Sequence, residues 1–142
     1  MMKTEMVIQQ QNINLPISPA FINLLYSELS HWPEYSATRS VILNFRDDDY
    51  SSENGGFHPV EIRLIKRNEE WCFDYLTDFS YMGHPYPELE KEFDISWSQG
   101  YVWHYMMGDM VIEEGEELFE LWQRNFIRYW KAKVYTVITS WD

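Results

Sequence analysis

Cysteine is nearly absent from this sequence, because Cys72 is the only one among 142 residues. A single cysteine cannot form a disulfide within the chain, and it cannot supply the cysteine-rich ligand set of a structural zinc site. The sequence therefore excludes a disulfide scaffold and a cysteine-based zinc module. Such cysteine usage suits a reducing compartment, and we expect the protein to be cytoplasmic.

Long apolar runs are also missing. No stretch of 18 apolar residues occurs, and the N-terminus reaches the polar run Gln9–Asn12 before a segment of signal-peptide length has formed. We therefore expect no contact with a membrane. The chain has no internal repeat and no long linker, so residues 1–142 are expected to form a single domain, with residues 1–14 as a flexible segment.

Basic residues are scarce: 11 lysines and arginines stand against 23 aspartates and glutamates, which gives a formal net charge of −12. Ten of the acidic residues lie between positions 88 and 120, where Lys91 is the only basic residue. A negative field of this size repels phosphate backbones and argues against direct binding to nucleic acid. The same charges leave two alternatives open, a surface that imitates nucleic acid or a solvated acidic surface.

Aromatic residues, in contrast, are abundant. The chain contains 7 tryptophans, 10 tyrosines and 8 phenylalanines, and 45% of its residues are hydrophobic. This composition is typical of a folded domain with a sizeable core and excludes a disordered chain.

Two segments have helical periodicity. Ser18 precedes Pro19 as an N-cap precedes the first helical residue, and apolar residues then recur at helical spacing until Pro33 ends the helix near Trp32. A second helix, from about Glu116 to Ala132, carries a broad apolar stripe. Acidic residues precede this stripe and basic residues follow it, as the helix dipole favours.

Between the helices the apolar residues alternate with period two, which is typical of strands. A final β-branched segment, Val134–Thr139, predicts a strand inserted inside the sheet. For residues 88–92 the sequence is compatible with either a strand or a short helical turn. This order predicts an α+β fold, in which two helices pack against a mostly antiparallel sheet of five to six strands. The other candidate strands cover residues 39–45, 60–65, 71–76, 93–97 and 101–105.

Three segments resemble an uncharacterised bacterial family of domains of unknown function, which is found mainly in marine gamma-proteobacteria. These segments are Ser51–Leu64, Thr77–Tyr81 and Pro85–Lys91, and the similarity runs from about Ser36 to the C-terminus. No activity is assigned to that family. The resemblance therefore implies a bacterial, cytosolic, single-domain protein and supplies no catalytic residue.

The loops that flank the middle strands contain the residues best suited to chemistry. His58, Asp78 and His84 are the candidate catalytic residues, because histidine with a carboxylate can transfer protons near neutral pH. Tyr81 and Tyr86 are the candidate ligand-binding residues beside them. Histidine and aspartate near strand ends also cap backbone groups, and no nucleophile motif accompanies them here. A small enzyme or ligand-binding domain is therefore the alternative hypothesis.

No metal or cofactor motif is recognised. The acidic loop Asp47–His58 has Ser52 where a calcium loop has glycine, and it ends in histidine where a calcium loop has glutamate. The four histidines are too far apart in sequence to pair as zinc ligands within one element, although a tertiary site could still gather them. Gly55–Gly56 lacks the lysine and hydroxyl of a phosphate loop. We therefore expect no metal and no cofactor.

Aromatic rings alternate along two predicted hairpins, and Trp71, Phe73 and Tyr75 are expected to share one face. These rings indicate either a core or an exposed surface on the side that the helices leave uncovered. The leading hypothesis is a non-catalytic interaction module that binds a protein partner through this sheet and an acidic flank. It requires a flat or grooved exposed aromatic patch and no convergent polar cluster, whereas the enzyme hypothesis requires a concave pocket lined by the loops of His58, Asp78 and His84. A homodimer is a further expectation if the terminal strand lies at a sheet edge.

Overall fold

The computed structural model describes residues 7–30 and 37–142. Seven of its strands form one sheet of antiparallel neighbours, in the order β7-β6-β5-β4-β3-β2-β8, and β1 pairs with β4 in parallel. The prediction of an α+β fold is confirmed, with more strands than expected. The elements are β1 (Ile8–Gln9), α1 (Pro19–Leu29), β2 (Ser40–Arg46), β3 (Val60–Arg67), β4 (Glu70–Met82), β5 (Glu88–Ser96), β6 (Tyr101–His104), β7 (Gly108–Asp109), α2 (Ile112–Lys131) and β8 (Thr136–Trp141).

The first helix, α1, begins where the sequence predicts. The Ser18 hydroxyl accepts a hydrogen bond from the backbone N–H of Phe21 at 3.2 Å, and Pro19 occupies the first turn. The helix ends at Leu29. Its predicted end at residues 32–33 lies outside the described residues. Neither α1 nor α2, the helices in the described part of the chain, is long and apolar enough to cross a membrane.

Both helices pack on one face of the sheet, and aromatic rings join the two layers. Phe21 of α1 lies 6.4 Å from Phe73 of β4 and 6.1 Å from Phe126 of α2, measured between ring centroids. Phe73 in turn stacks on Trp97 at 4.7 Å. These four side chains are at most 2% exposed. The core therefore lies between the helices and this face, and no helix in residues 7–30 and 37–142 covers the opposite face of the sheet.

The polar segment before α1 is held against the sheet. Gln10 Oε1 accepts hydrogen bonds from Trp97 Nε1 at 2.9 Å and from the backbone N–H of Leu15 at 2.7 Å. Asn12 Nδ2 donates to the carbonyl of Trp97 at 2.7 Å. Of the segment expected to be flexible, residues 1–6 lie outside the described residues. From Ile8 onwards strand pairing and side-chain amides fasten the chain to the sheet.

The terminal strand, β8, lies at an edge of the sheet, where it pairs with β2. The prediction that it is inserted inside the sheet was wrong. Its β-branched Ile138 pairs with Asn44 and is 57% exposed, so it is not buried within the sheet. An exposed strand edge is what pairing across a two-fold axis requires, and the homodimer stays a prediction.

The hairpin of β4 and β5 extends beyond the rest of the sheet. Residues 88–92, which the sequence leaves open, belong to β5, and Tyr81 pairs there with Leu89. We call residues 79–91 the arm. At the other end of the chain α2 begins at Ile112, about one turn earlier than predicted.

Candidate functional site

Two of the three candidate catalytic residues meet beside α2. His58 lies just before β3, and Asp78 lies in β4 opposite Val60. His58 Nδ1 is 2.8 Å from Asp78 Oδ1, and Trp122 Nε1 donates a hydrogen bond to Asp78 Oδ2 at 2.7 Å. Asp78 is only 7% exposed. Both of its carboxylate oxygens are therefore fixed by partners from other elements.

Glu92 completes this cluster, and nothing in the sequence singles it out. Strand β5 has one extra residue, Glu92, opposite the step from Asp78 to Phe79 in β4. Such a bulge takes a side chain out of the regular alternation and redirects it. Glu92 Oε2 lies 3.5 Å from His58 Nδ1, while Glu92 Oε1 accepts a hydrogen bond from Ser80 Oγ at 3.0 Å. A register shift between two strands therefore places a second carboxylate at the histidine.

The two carboxylates change the protonation of His58. The hydrogen bond with Asp78 raises the pKa of His58, burial lowers it, and the negative charges of Asp78 and Glu92 raise it further. The net direction is upward from the ordinary value. The imidazole therefore holds its proton more readily than a solvent-exposed histidine does.

A cavity of about 290 Å³ borders the cluster. His58, Asp78 and Trp122 line one part of it, and the rings of Tyr129 and Tyr135 line another. Burial, followed by the charge of Asp78, raises the pKa of Tyr135, so its hydroxyl remains a hydrogen-bond donor. The concave pocket that the enzyme hypothesis requires is therefore present around His58 and Asp78.

The structure separates His84 from these residues. Strand β4 continues for four residues beyond Asp78, which corresponds to about 13 Å, before it reaches the loop that holds His84. His84 is exposed at the tip of the arm, and Tyr86 beside it is 85% exposed. The loops of His58 and His84 therefore do not converge, and Tyr86 belongs to the arm rather than to the cavity.

Tyr81 lies between the arm and the cluster. Its ring stacks on Tyr50 at 5.2 Å, and its backbone N–H donates a hydrogen bond to the Tyr50 hydroxyl at 3.0 Å. The Tyr50 ring is in turn 5.5 Å from the ring of His58. Tyr81 is thus connected to the cluster by contacts through Tyr50, which the sequence did not single out.

The face of the sheet without a helix, which we call the open face, carries a second candidate site. Glu61, Thr77 and Asp94 lie side by side on β3, β4 and β5. Asp94 accepts hydrogen bonds from Thr77 Oγ1 at 2.6 Å and from the Tyr101 hydroxyl at 2.5 Å. Glu61 accepts one from the Tyr75 hydroxyl at 2.5 Å. Carboxylates and tyrosines therefore form an ordered network on this face.

These residues line a groove of about 340 Å³ that carries a negative charge. Glu61, Asp74 and Asp94 are its acidic residues and Lys91 its one basic residue. Arg63, on the same face, pairs with Asp74 at 2.6 Å. The open face is therefore a polar, acidic groove containing tyrosines rather than the apolar aromatic patch that the sequence suggested.

Burial raises the pKa of Tyr101 to about 12, and the hydrogen bond to Asp94 and nearby negative charges contribute. Since the folded-state value exceeds the unfolded value of about 10, the stabilisation from the neutral hydroxyl is fully present below pH 10 and is lost as the pH rises towards 12. We expect the unfolding free energy of Tyr101→Phe, measured in urea, to fall less steeply over this range than that of the wild type. Tyr86→Phe is the matched control and should follow the wild type; equal slopes for all three proteins would contradict the prediction.

Comparison with known proteins identifies a family. Residues 19–140 match the family described as Protein of unknown function (DUF2787). No curated protein matches the chain. Among solved structures, it is similar to the hypothetical protein VC0508 from the Vibrio cholerae VSP-II pathogenicity island, with 30% identity and a TM-score of 0.87. That alignment covers 96% of this chain and 99% of the other.

A second similar structure is the conserved hypothetical protein VC1805 from pathogenicity island VPI-2 of Vibrio cholerae O1 biovar eltor, which is described as sharing structural homology with the human P32 protein. The identity is 34%, the TM-score is 0.82, and the alignment covers 94% of this chain and all of the other. These matches agree with the resemblance to an uncharacterised bacterial family. The chain belongs to the DUF2787 family.

Proposed function

We propose that this protein is a non-catalytic interaction module that binds an arginine-containing basic segment of a protein partner through the open face of the sheet. The observation that carries the proposal is the network of Glu61, Asp94, Tyr75 and Tyr101 in an acidic groove.

The carboxylates of the groove are held in place before a partner arrives. Asp94 is 4% exposed, and Thr77 and Tyr101 each donate a hydrogen bond to it. Groups that are already ordered lose little conformational entropy when a ligand binds, and this favours affinity. The groove therefore offers fixed carboxylate acceptors, and a cationic donor of the partner competes for them with Lys91 Nζ, which lies 3.7 Å from Asp94 Oδ2, and with Asn44 Nδ2, which donates to Glu61 Oε1 at 3.3 Å.

The composition of the groove favours arginine over lysine in the partner. A guanidinium group pairs with carboxylates in a planar, bidentate geometry and also stacks on aromatic rings. Tyr75 and Tyr101 supply rings beside Glu61 and Asp94. The overall charge of −12 adds a long-range attraction that speeds association with basic partners and weakens with salt.

The hypothesis of a surface that imitates nucleic acid finds less support. The ten acidic residues between positions 88 and 120 are divided among the arm, the His58 cluster, the open face, β7 and α2, so they do not make one continuous surface that imitates nucleic acid. A small enzyme or ligand-binding domain is the alternative, because His58 and Asp78 border the concave pocket that this hypothesis requires, although His84 lies apart from them.

The test is a titration of the full chain with an octa-arginine peptide, followed by NMR amide shifts and fluorescence. We expect the shifts to concentrate on the open face and Glu61→Gln to weaken binding about fivefold, the loss of one contact worth about 1 kcal/mol. We also expect octa-lysine to bind less tightly.

Glu117→Gln on α2 is the matched control, because it removes the same charge from an exposed position outside the groove. It should leave the affinity nearly unchanged. Equal weakening by both variants, or shifts spread over α2 as much as over the open face, would show that only the net charge attracts the peptide.

A further inference from the structure

The cluster of His58, Asp78 and Glu92 has a feature that the proposed function does not use. One nitrogen and two carboxylate oxygens, one from each residue, lie within 4.8 Å of one another. Because the residues belong to a loop and two adjacent strands, no local motif in the sequence connects them. The sequence led us to expect no metal for this reason.

We propose that His58, Asp78 and Glu92 bind one divalent metal ion of the Zn²⁺ or Mn²⁺ class. An imidazole nitrogen suits zinc and iron, while carboxylate oxygens suit manganese and harder ions. A ligand set of one nitrogen and two carboxylates therefore favours ions that accept both nitrogen and oxygen ligands. It disfavours Ca²⁺, which prefers six to eight oxygen ligands.

Two of the three separations between the ligand atoms are close to those of a coordination sphere, and all three are within 4.8 Å. Metal–ligand bonds of about 2.0–2.2 Å in tetrahedral or octahedral geometry place neighbouring ligand atoms about 3–3.5 Å apart. His58 Nδ1 lies 2.8 Å from Asp78 Oδ1 and 3.5 Å from Glu92 Oε2. An ion can therefore replace the proton of His58 with only small movements of the three side chains.

Outer hydrogen bonds orient both carboxylates towards the ion. Trp122 Nε1 donates to the second oxygen of Asp78, and Ser80 Oγ donates to the second oxygen of Glu92. Each carboxylate thus keeps one oxygen for His58 or for a metal. Partners of this kind fix the ligands of known metal sites and are worth about 10- to 100-fold in affinity.

The site would have room for a further ligand. Three protein ligands leave at least one coordination position for water or another small ligand. The cavity of about 290 Å³ gives access to this position, because His58 and Asp78 line it. The metal site and the open face lie on opposite sides of the sheet, so the two proposals stand independently.

The test is calorimetric titration of the full, chelator-treated chain with Zn²⁺ and with Mn²⁺, each as the metal alone. We expect one equivalent of zinc to bind and the melting temperature to rise with its concentration. His58→Ala and Glu92→Gln should each weaken binding by more than the 10- to 100-fold expected for loss of an outer partner, and Trp122→Phe by about 10-fold.

His84→Ala and Glu90→Gln are matched controls on the exposed arm and should bind zinc as the wild type does. Glu92 is half-buried, so Glu92→Gln is the decisive variant if substitution at His58 lowers stability, and circular dichroism confirms its fold. Absence of binding at one equivalent, or equal losses in the controls, would overturn the proposal. Binding of octa-arginine to the open face should be the same with and without metal, which separates failure of this site from failure of the proposed function.

Discussion

Phe21→Ala is expected to lower the free energy of unfolding by about 3–5 kcal/mol, the range for truncation of a fully buried phenylalanine. The Phe21 ring is 0% exposed and joins three elements. Its centroid lies 6.4 Å from Phe73 of β4, 6.2 Å from Phe119 and 6.1 Å from Phe126, the last two on α2. Truncation leaves a cavity that is lined by the sheet and by both helices. The movement of one neighbouring side chain therefore cannot fill it. Urea unfolding followed by circular dichroism measures the loss.

Leu121→Ala provides the control for Phe21→Ala. Leu121 is 52% exposed on α2, so its truncation removes apolar atoms from a helix without opening a cavity between the layers. We expect its effect to remain within about 1 kcal/mol. A loss from Phe21→Ala no larger than that from Leu121→Ala would contradict the placement of this ring at the centre of the core.

The elements of the fold were predictable because each depends on short-range spacing. In α1, Ser18 and Pro19 mark the start through one hydrogen bond and one fixed dihedral angle. In β3, Val60, Ile62 and Leu64 are at most 2% exposed, whereas the residues between them face the other side. Patterns of this kind depend on neighbours a few positions away, and a single sequence contains them.

Strand position and register were not predictable in the same way. β-Branched residues favour strands at an edge as well as at the centre, so the composition of β8 did not reveal its place beside β2. The expectation that Phe73 and Tyr75 share a face was wrong, because Asp74 is an extra residue opposite the step from Arg63 to Leu64. This bulge sends Phe73 into the core and Tyr75 to the open face.

The candidate site was predictable only in part, because sequence reveals the chemistry of single residues but not the contacts between elements. His58 and Asp78 were found because histidine and aspartate just beyond the ends of the predicted strands are chemically conspicuous, although Asp78 in fact lies within β4. Glu92 and Trp122 were missed, since their places at the site depend on a bulge between two strands and on the packing of α2. No spacing within one element connects these residues. Contacts between elements therefore determine the composition of the site.

Gln123→Met is expected to lower the free energy of unfolding by about 2–4 kcal/mol. Gln123 is 4% exposed, and its side chain connects α2 to the segment before α1. Gln123 Oε1 accepts a hydrogen bond from the backbone N–H of Ser18 at 3.0 Å, and Nε2 donates to the carbonyl of Pro16 at 2.9 Å. Methionine has a similar length but makes neither bond, so two backbone groups lose their partners, each at a cost of about 1–3 kcal/mol.

Hydrogen exchange distinguishes this mechanism from a general loosening of the core. In Gln123→Met the amide of Ser18 should exchange faster than in the wild type, beyond what the change in global stability explains. Gln99→Met is the matched control, because Gln99 is exposed and its substitution should change stability by no more than about 0.5 kcal/mol. If Gln123→Met left both stability and Ser18 exchange unchanged, the start of α1 would be fixed by its own N-cap at Ser18 rather than by the hydrogen bonds from α2.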